Sequence, residues 1–153
     1  MRETARYGLR PHPADGGERR AVLLVDGDEA GTVPGAVLEA QYQAGPEALL
    51  FLSHDIPFEE QLDILLLDAA ARPLERVSLY GAYATGSFRP LALTGPDALS
   101  FRFFGGPPWQ VRILPRARWR RPFSDPHGVH RARRFSTRIE VRPLAAPSQD
   151  ASP

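Results

Sequence analysis

The sequence predicts an all-β domain, and three observations support that prediction. Sixteen prolines and thirteen glycines interrupt the chain at short intervals, which leaves room for short strands but not for long helices. Several segments between these turns alternate apolar and polar residues, as half-buried strands do. Two further segments, residues 49–53 and 64–67, are apolar nearly throughout and suit strands inside a sheet. We therefore expect about eight or nine strands in an antiparallel β-sandwich, with a β-barrel as the alternative.

The expected strands follow one another along the first hundred residues. Residues 1–19 show no clear alternation and predict an irregular arm. Strands are then expected at residues 21–25, 37–43, 49–53, 61–68, 74–79 and 87–93. Residues 56–68 also have helical spacing, but the consecutive apolar residues at 64–67 favour a turn followed by a strand.

The clearest hairpin joins residues 99–103 to residues 109–113. Both segments alternate strictly, and the glycines and prolines at residues 105–108 reverse the chain between them. The apolar sets, which include Phe101 and Trp109, would lie on one face, where aromatic pairs across the strands would fix the register.

The last third of the chain has a different character. Residues 116–134 are rich in arginine without apolar periodicity, which predicts a long basic loop. A last strand is expected at residues 135–142, because apolar and polar residues alternate again there. Residues 1–143 are thus expected to form a single domain, and residues 144–153 a disordered tail.

Charge is distributed unevenly along the chain. All nineteen basic residues are arginines, and the formal net charge of the whole chain is only +1. Residues 1–100 hold 8 arginines and 15 acidic residues, whereas residues 101–153 hold 11 arginines and 3 acidic residues. The two parts therefore either attract each other or present surfaces of opposite sign to a partner.

The basic segment supplies the leading functional hypothesis. Guanidinium groups bind anionic groups through paired hydrogen bonds, and neighbouring aromatic rings add stacking or apolar contact. The candidate binding residues are Arg116, Arg118, Trp119, Arg120, Arg121, Arg131, Arg133 and Arg134. The expected partner is a protein with an acidic surface or an anionic ligand. Nucleic acid is less favoured, because the pI of about 8.3 is low for such a domain.

His54 and Asp55 are weak candidates for catalysis. A histidine beside a carboxylate suits a general base or a metal ligand, and the pair follows an apolar strand. Adjacent strand residues point to opposite faces, however, so the two side chains are not expected to meet.

His127 and His130 are weak candidates for a metal site. Two histidines three residues apart can chelate a metal, but a third ligand would have to come from elsewhere in the chain. The arginines around them would also repel a cation.

Other classes of chemistry find little support in the sequence. There is no cysteine, which excludes thiolate nucleophiles and thiolate-bound metals, and no serine lies in a nucleophile-elbow motif. Residues 80–87 contain two glycines but match neither phosphate-binding nor dinucleotide-binding patterns, so no cofactor is expected. The polar N-terminus and short apolar runs predict a cytoplasmic protein without a membrane segment.

Three hypotheses follow in order of preference. The first is a non-enzymatic binding module that uses the arginine-rich loop, in which case the protein is not an enzyme. The second is a metal-dependent or hydrolytic enzyme with a pocket of histidine and aspartate. The third is a structural subunit of an oligomer, since exposed strand edges can pair. The sequence leaves the oligomeric state open.

Overall fold

The computed structural model describes residues 1–13, 17–55, 60–80, 87–132 and 135–145 of the chain. Within them, every regular element is a strand. None of these residues belongs to a helix that could cross a membrane. The strands are β1 (Arg2–Glu3), β2 (Tyr7–Pro11), β3 (Arg20–Val25), β4 (Asp28–Pro34), β5 (Val37–Ala44), β6 (Glu47–Ser53), β7 (Gln61–Leu67), β8 (Pro73–Tyr80), β9 (Arg89–Gly95), β10 (Ala98–Arg102), β11 (Trp109–Trp119), β12 (Val129–Arg131) and β13 (Ser136–Pro143).

These strands form three antiparallel sheets. The first has six strands in the order β1-β5-β6-β7-β8-β12, the second has the order β13-β11-β10-β9, and the third has the order β2-β3-β4. No sheet closes on itself within the described residues, so the predicted sandwich is confirmed and the barrel alternative is not. The strand count exceeds the expected eight or nine, because β1 and β12 have only two or three residues and two further strands, β2 and β4, arise where no alternation is visible.

One face of the six-stranded sheet packs against the four-stranded sheet. Phe51 of β6 and Ile64 of β7 lie in this core together with Phe101 of β10. The Phe51 and Phe101 rings lie edge to face, with their centroids 5.3 Å apart. Alternate residues of β10, β11 and β13 complete the core, which explains the period of two in their sequences.

The opposite face of the six-stranded sheet packs against the three-stranded sheet. Leu50 of β6 and Leu65 of β7 lie in a second core with Leu23 of β3 and Val33 of β4. β6 and β7 are therefore buried on both faces, which is why their sequences are almost entirely apolar. Asp63, in the middle of β7, is a fully buried charged exception.

The predicted hairpin is formed by β10 and β11. Leu99 lies opposite Val111, and Phe101 lies opposite Trp109. All four side chains contribute to the first core, with Trp109 packed at its margin. The aromatic pairing across the strands is confirmed.

Part of the predicted irregular arm is a strand. β2 pairs with β3 along its whole length, from Tyr7 opposite Val25 to Pro11 opposite Ala21. The Gln41 side chain also holds β2, because it accepts a hydrogen bond from Tyr7 N at 2.8 Å and donates one to Tyr7 O at 3.0 Å. Only Tyr7 of β2 is fully buried, so the sequence shows no alternation there.

Part of the predicted basic loop is strand as well. β11 continues past a bulge to Trp119, where Arg118 lies opposite Thr137 of β13. β12, in the second half of the predicted loop, pairs with β8. Neither strand is visible in the apolar pattern, since the end of β11 is exposed and β12 is very short.

Some predictions fall on residues outside the described ranges. These are the turn at residues 56–59, the glycine-containing stretch at 81–86, Arg133 with Arg134, and residues 146–153 of the predicted tail. The strand preferred over the helix is confirmed at Gln61–Leu67. Leu144 N donates to Pro108 O at 2.7 Å, so the chain still contacts the domain one residue past the predicted boundary.

Candidate binding surface

Glu75 of β8 joins the two larger sheets through a buried carboxylate. Its Oε2 accepts hydrogen bonds from the backbone N–H groups of Arg138 at 2.6 Å and Ile139 at 2.9 Å. Its Oε1 accepts from the Thr137 hydroxyl at 2.8 Å and from Arg131 Nη1 at 3.2 Å. The Arg131 and Glu75 side chains are only 4% and 3% exposed. These four donors, one of them charged, compensate the desolvation of the carboxylate.

Asp125 continues this network into the predicted basic loop. Arg131 Nε donates to its Oδ1 at 2.9 Å, and Arg120 Nη2 lies 2.6 Å from its Oδ2. Asp125 therefore bridges Arg120 and Arg131, and both guanidinium groups are largely buried. These two predicted binding residues serve first to fold the loop.

Part of the uneven charge is neutralised within the chain. Arg138 of β13 pairs with Glu47 of β6 at 2.7 Å, and Arg131 pairs with Glu75. Each pair joins the basic last part of the chain to the acidic first part, as the charge distribution predicts.

Large aromatic side chains are exposed where β11 ends. Phe123 is 92% exposed, Trp119 is 71% exposed and Phe135 is 61% exposed. Trp119 lies opposite Ser136 in the β11–β13 ladder, and the neighbouring Arg120 N donates to Phe135 O at 2.9 Å. Trp119 and Phe135 therefore belong to one end of the four-stranded sheet, and Phe123 lies in the turn that follows β11.

The backbone at Phe123 is in the left-handed region, with φ at 61°. This conformation is uncommon for an aromatic residue and is held by its neighbours. The Ser124 hydroxyl donates to Arg121 O at 2.6 Å and accepts from Arg120 Nη2 at 3.1 Å. The turn is thus built so that the Phe123 ring faces solvent.

Three arginines accompany these rings and remain exposed. Arg116 and Arg118 lie on the exposed end of β11, and Arg121 follows it. Arg118 Nη1 lies 2.9 Å from Glu140, but both side chains are well exposed, so this pair contributes little to stability. We call the following set the basic-aromatic surface: Arg116, Arg118, Trp119, Arg121, Phe123 and Phe135.

Two clefts flank the bridge from Arg120 through Asp125 to Arg131. The first, about 400 Å³, is lined by His127 and His130 together with Phe123, and we call it the histidine cleft. The second, about 460 Å³, we call the arginine cleft. Its lining residues include Arg118, Arg120, Arg121, Arg131 and Arg142.

The two candidate metal ligands of the histidine cleft face different surroundings. The His130 ring is stacked on Tyr80, with centroids 4.1 Å apart, whereas His127 is exposed in the loop. Among the described residues, the group of ligating side chains close enough to share a metal contains neither histidine. That group is Glu18, His54 and Asp63.

His54 is paired with Asp63, not with its neighbour Asp55. His54 Nε2 and Asp63 Oδ2 are hydrogen-bonded, and both residues are buried. Asp55 is exposed, with φ at 52°. Ser78, directly opposite Asp63 on β8, donates its hydroxyl to Asp63 Oδ1. The sequence therefore identified His54 but not the residues that contact it.

Arg76 supplies the cation of this cluster. Its Nε and Nη2 each lie 3.0 Å from an oxygen of Asp63, and the same guanidinium pairs with Glu18. Burial alone would raise the pKa of Asp63, but the hydrogen bonds that it accepts outweigh burial and lower the pKa from 3.8 to about 2. Arg76 likewise lowers the pKa of Glu18. Since the Arg76 guanidinium already contacts both carboxylates and would repel a cation, these residues do not fit a metal ion.

The sequence does carry a signal for the residues that it missed. Asp63 interrupts an apolar run in β7, and a buried carboxylate requires a charged or hydrogen-bonding partner. Arg76 and Ser78 occupy alternate positions of β8, the neighbouring strand. The role of Glu75, on the opposite face of β8, depends on how β8 packs against β13. The sequence does not show that packing.

Comparison with protein-family models, with curated proteins and with solved structures finds no match for this chain.

Proposed function

We propose that this protein is a non-enzymatic binding module whose basic-aromatic surface docks on a partner protein with an acidic face that also exposes apolar side chains. Phe123 carries the proposal, because its ring is 92% exposed on a left-handed backbone. Such a conformation costs on the order of 1–3 kcal/mol. Burial of the ring by a partner would offset that cost.

The composition of the surface supports the same function. Exposed Trp119, Phe123 and Phe135 accompany Arg118 and Arg121, and aromatic residues with arginine are enriched at the centres of protein interfaces. Isolated exposed apolar residues are ordinary, but three large rings at one end of a sheet favour a contact surface.

The charge of the surface favours an acidic partner. Arg116 and Arg121 are exposed. The ion pair of Arg118 with Glu140 is exposed and therefore weak, so Arg118 can leave Glu140 to contact a partner. Arg120 and Arg131 would position this surface instead of contacting the partner, since internal carboxylates hold both.

Nucleic acid is less favoured than a protein partner. Asp125 and Glu140 lie among the arginines of the arginine cleft. These carboxylates interrupt the extended row of positive charge that a continuous phosphate backbone requires.

The enzyme hypothesis has less support. His54 is buried against Asp63, which Arg76 also contacts, while the described lining of the histidine cleft includes neither His54 nor Asp55. A general base must lie within hydrogen-bond reach of its substrate, and this pairing takes His54 away from the clefts.

One observation favours the oligomeric-subunit hypothesis as a second candidate. β9 is an edge strand, and its Leu91 and Leu93 are among the exposed large apolar residues. Pro90 has no N–H to donate, however, which opposes pairing with another strand. Light scattering on the purified protein tests this candidate. The candidate requires that the protein form an oligomer and that Leu93→Glu dissociate it.

The proposed function is tested with a defined acidic probe. The probe is a short fluorescent peptide with aspartate and glutamate on both sides of one phenylalanine, and its binding is followed by fluorescence polarisation. Phe123→Ala and Arg121→Gln should each weaken binding by about tenfold or more, because each removes an interface anchor. Leu93→Ala and Arg89→Gln are the matched controls, since they remove an exposed leucine and an exposed arginine of β9.

The controls should bind the probe as the unmodified protein does. A second peptide with asparagine and glutamine in place of the acidic residues should bind weakly or not at all. Equal losses for the surface variants and the β9 variants, or equal binding of both peptides, would contradict the proposal.

A further inference from the structure

The arginine cleft is strongly positive for its size. Five arginines and two carboxylates line it, which gives its lining a formal charge of +3, and Glu75 behind Arg131 reduces this to +2. Its volume of about 460 Å³ lies within the range of small-ligand sites, which is about 300–1,000 Å³. A concave site with one sign of charge concentrates ions of the opposite sign.

The cleft combines fixed and mobile guanidinium groups. Arg131 is held by both Glu75 and Asp125, and Arg120 is held by Asp125. The wall of the cleft that these two arginines line therefore keeps its geometry without a ligand. Arg118 and Arg121 are exposed at the cleft and can turn toward a ligand. A fixed positive wall beside the two exposed donors Arg118 and Arg121 suits a compact anion with several oxygen atoms.

The charge of the cleft exceeds what a carboxylate requires. A carboxylate carries one negative charge, whereas a phosphoryl ester carries about −1.5 to −2 at neutral pH and three acceptor oxygens. We propose that the arginine cleft binds a phosphorylated serine or threonine of the partner protein, while the aromatic rings contact residues beside it. This inference rests on the proposed function and names the anionic group that the same surface recognises.

The test uses three peptides that differ at one position. The acidic probe described above is prepared with serine, glutamate or phosphoserine beside its phenylalanine. The phosphoserine peptide should bind about tenfold more tightly than the glutamate peptide, because two guanidinium groups can share its oxygens. Arg121→Lys should lose most of this preference, since lysine keeps the charge without the paired donors. Arg89→Gln should keep the preference.

The outcomes separate this inference from the function on which it rests. Equal binding of the glutamate and phosphoserine peptides overturns the inference and leaves the acidic-partner function standing. Failure of all three peptides to bind overturns both. Inorganic phosphate that binds as tightly as the phosphoserine peptide would overturn the assignment to a partner side chain. Tighter binding of an oligothymidylate of matched length would replace the protein partner with a nucleic acid.

Discussion

Glu75 and Arg131 form an ion pair inside the protein, with Oε1 and Nη1 3.2 Å apart and neither side chain more than 4% exposed. The pair connects β8 of the six-stranded sheet to β12 and, through the other oxygen of Glu75, to β13. It therefore holds β12 and β13 in place, and β13 pairs with the end of β11 that carries part of the basic-aromatic surface.

Glu75→Gln should strongly destabilise the protein. The substitution leaves the buried Arg131 without a full countercharge and replaces an acceptor oxygen by a donor, and broken buried pairs cost about 3–5 kcal/mol. The free energy of unfolding in urea measures the effect. Glu140→Gln is the matched control, because its exposed pair with Arg118 should contribute less than about 1 kcal/mol. Equal effects of the two substitutions would show that the Glu75 network is not structural.

Acid should remove the contribution of Asp63 to stability. The pKa of Asp63 is about 2 in the folded protein, below its ordinary value of 3.8. The stabilisation is therefore complete above the unfolded pKa and is lost as the pH falls from about 5 to about 2, by about 2 kcal/mol. Urea unfolding across this range should show a shallower pH dependence in Asp63→Asn than in the unmodified protein. Asp28→Asn, at an exposed residue of β4, should keep the original slope.

Gly35→Ala should be more disruptive than Gly31→Ala. Both glycines have left-handed backbones, with φ at 104° and 109°. A Cβ at Gly35 would lie 3.1 Å from Ser53 O, whereas a Cβ at Gly31 would meet nothing within 4 Å. Both variants share the backbone strain, but only Gly35→Ala adds the close contact with Ser53 O. The difference between their thermal unfolding therefore measures the effect of that contact. We expect Gly31→Ala to cost about 1 kcal/mol or more and Gly35→Ala to cost more than that. Equal melting temperatures would contradict the close approach at Gly35.

Phe123→Ala should leave stability nearly unchanged. The ring is 92% exposed, so its removal uncovers little apolar surface and should alter the free energy of unfolding by less than about 0.5 kcal/mol. Phe101→Ala, in the first core, should cost about 3–5 kcal/mol. A large loss of stability in Phe123→Ala would mean that the ring supports the fold, which would weaken its assignment to a partner.

The strand-rich core was predictable because burial leaves a period in the sequence. The hairpin of β10 and β11 alternates strictly, and its observed register places Phe101 opposite Trp109, an aromatic pair across the strands of the kind that the sequence predicts. β6 and β7 are apolar on both faces because a sheet covers each face. Such patterns are local, so they are visible in a single amino-acid sequence.

Features that depend on contacts distant in sequence were not predictable in this way. β2 is held partly by the side chain of Gln41, and the polar end of β11 is a strand only because β13 pairs with it. The partner of His54 is Asp63, nine residues away and on the next strand. The sequence located the arginines, but the structure was needed to separate Arg131, which is buried, from Arg121, which is exposed.

The salt dependence of binding to the acidic probe is the sharpest test of an acidic partner at the basic-aromatic surface. If Arg118 and Arg121 contact acidic groups of a partner, the affinity should fall by about tenfold between about 50 mM and about 300 mM NaCl, because exposed charges are screened. The double variant Arg118→Gln/Arg121→Gln should bind weakly and with a clearly smaller dependence on salt. An affinity that does not change with salt, or a double variant with the full dependence, would contradict an acidic partner at this surface.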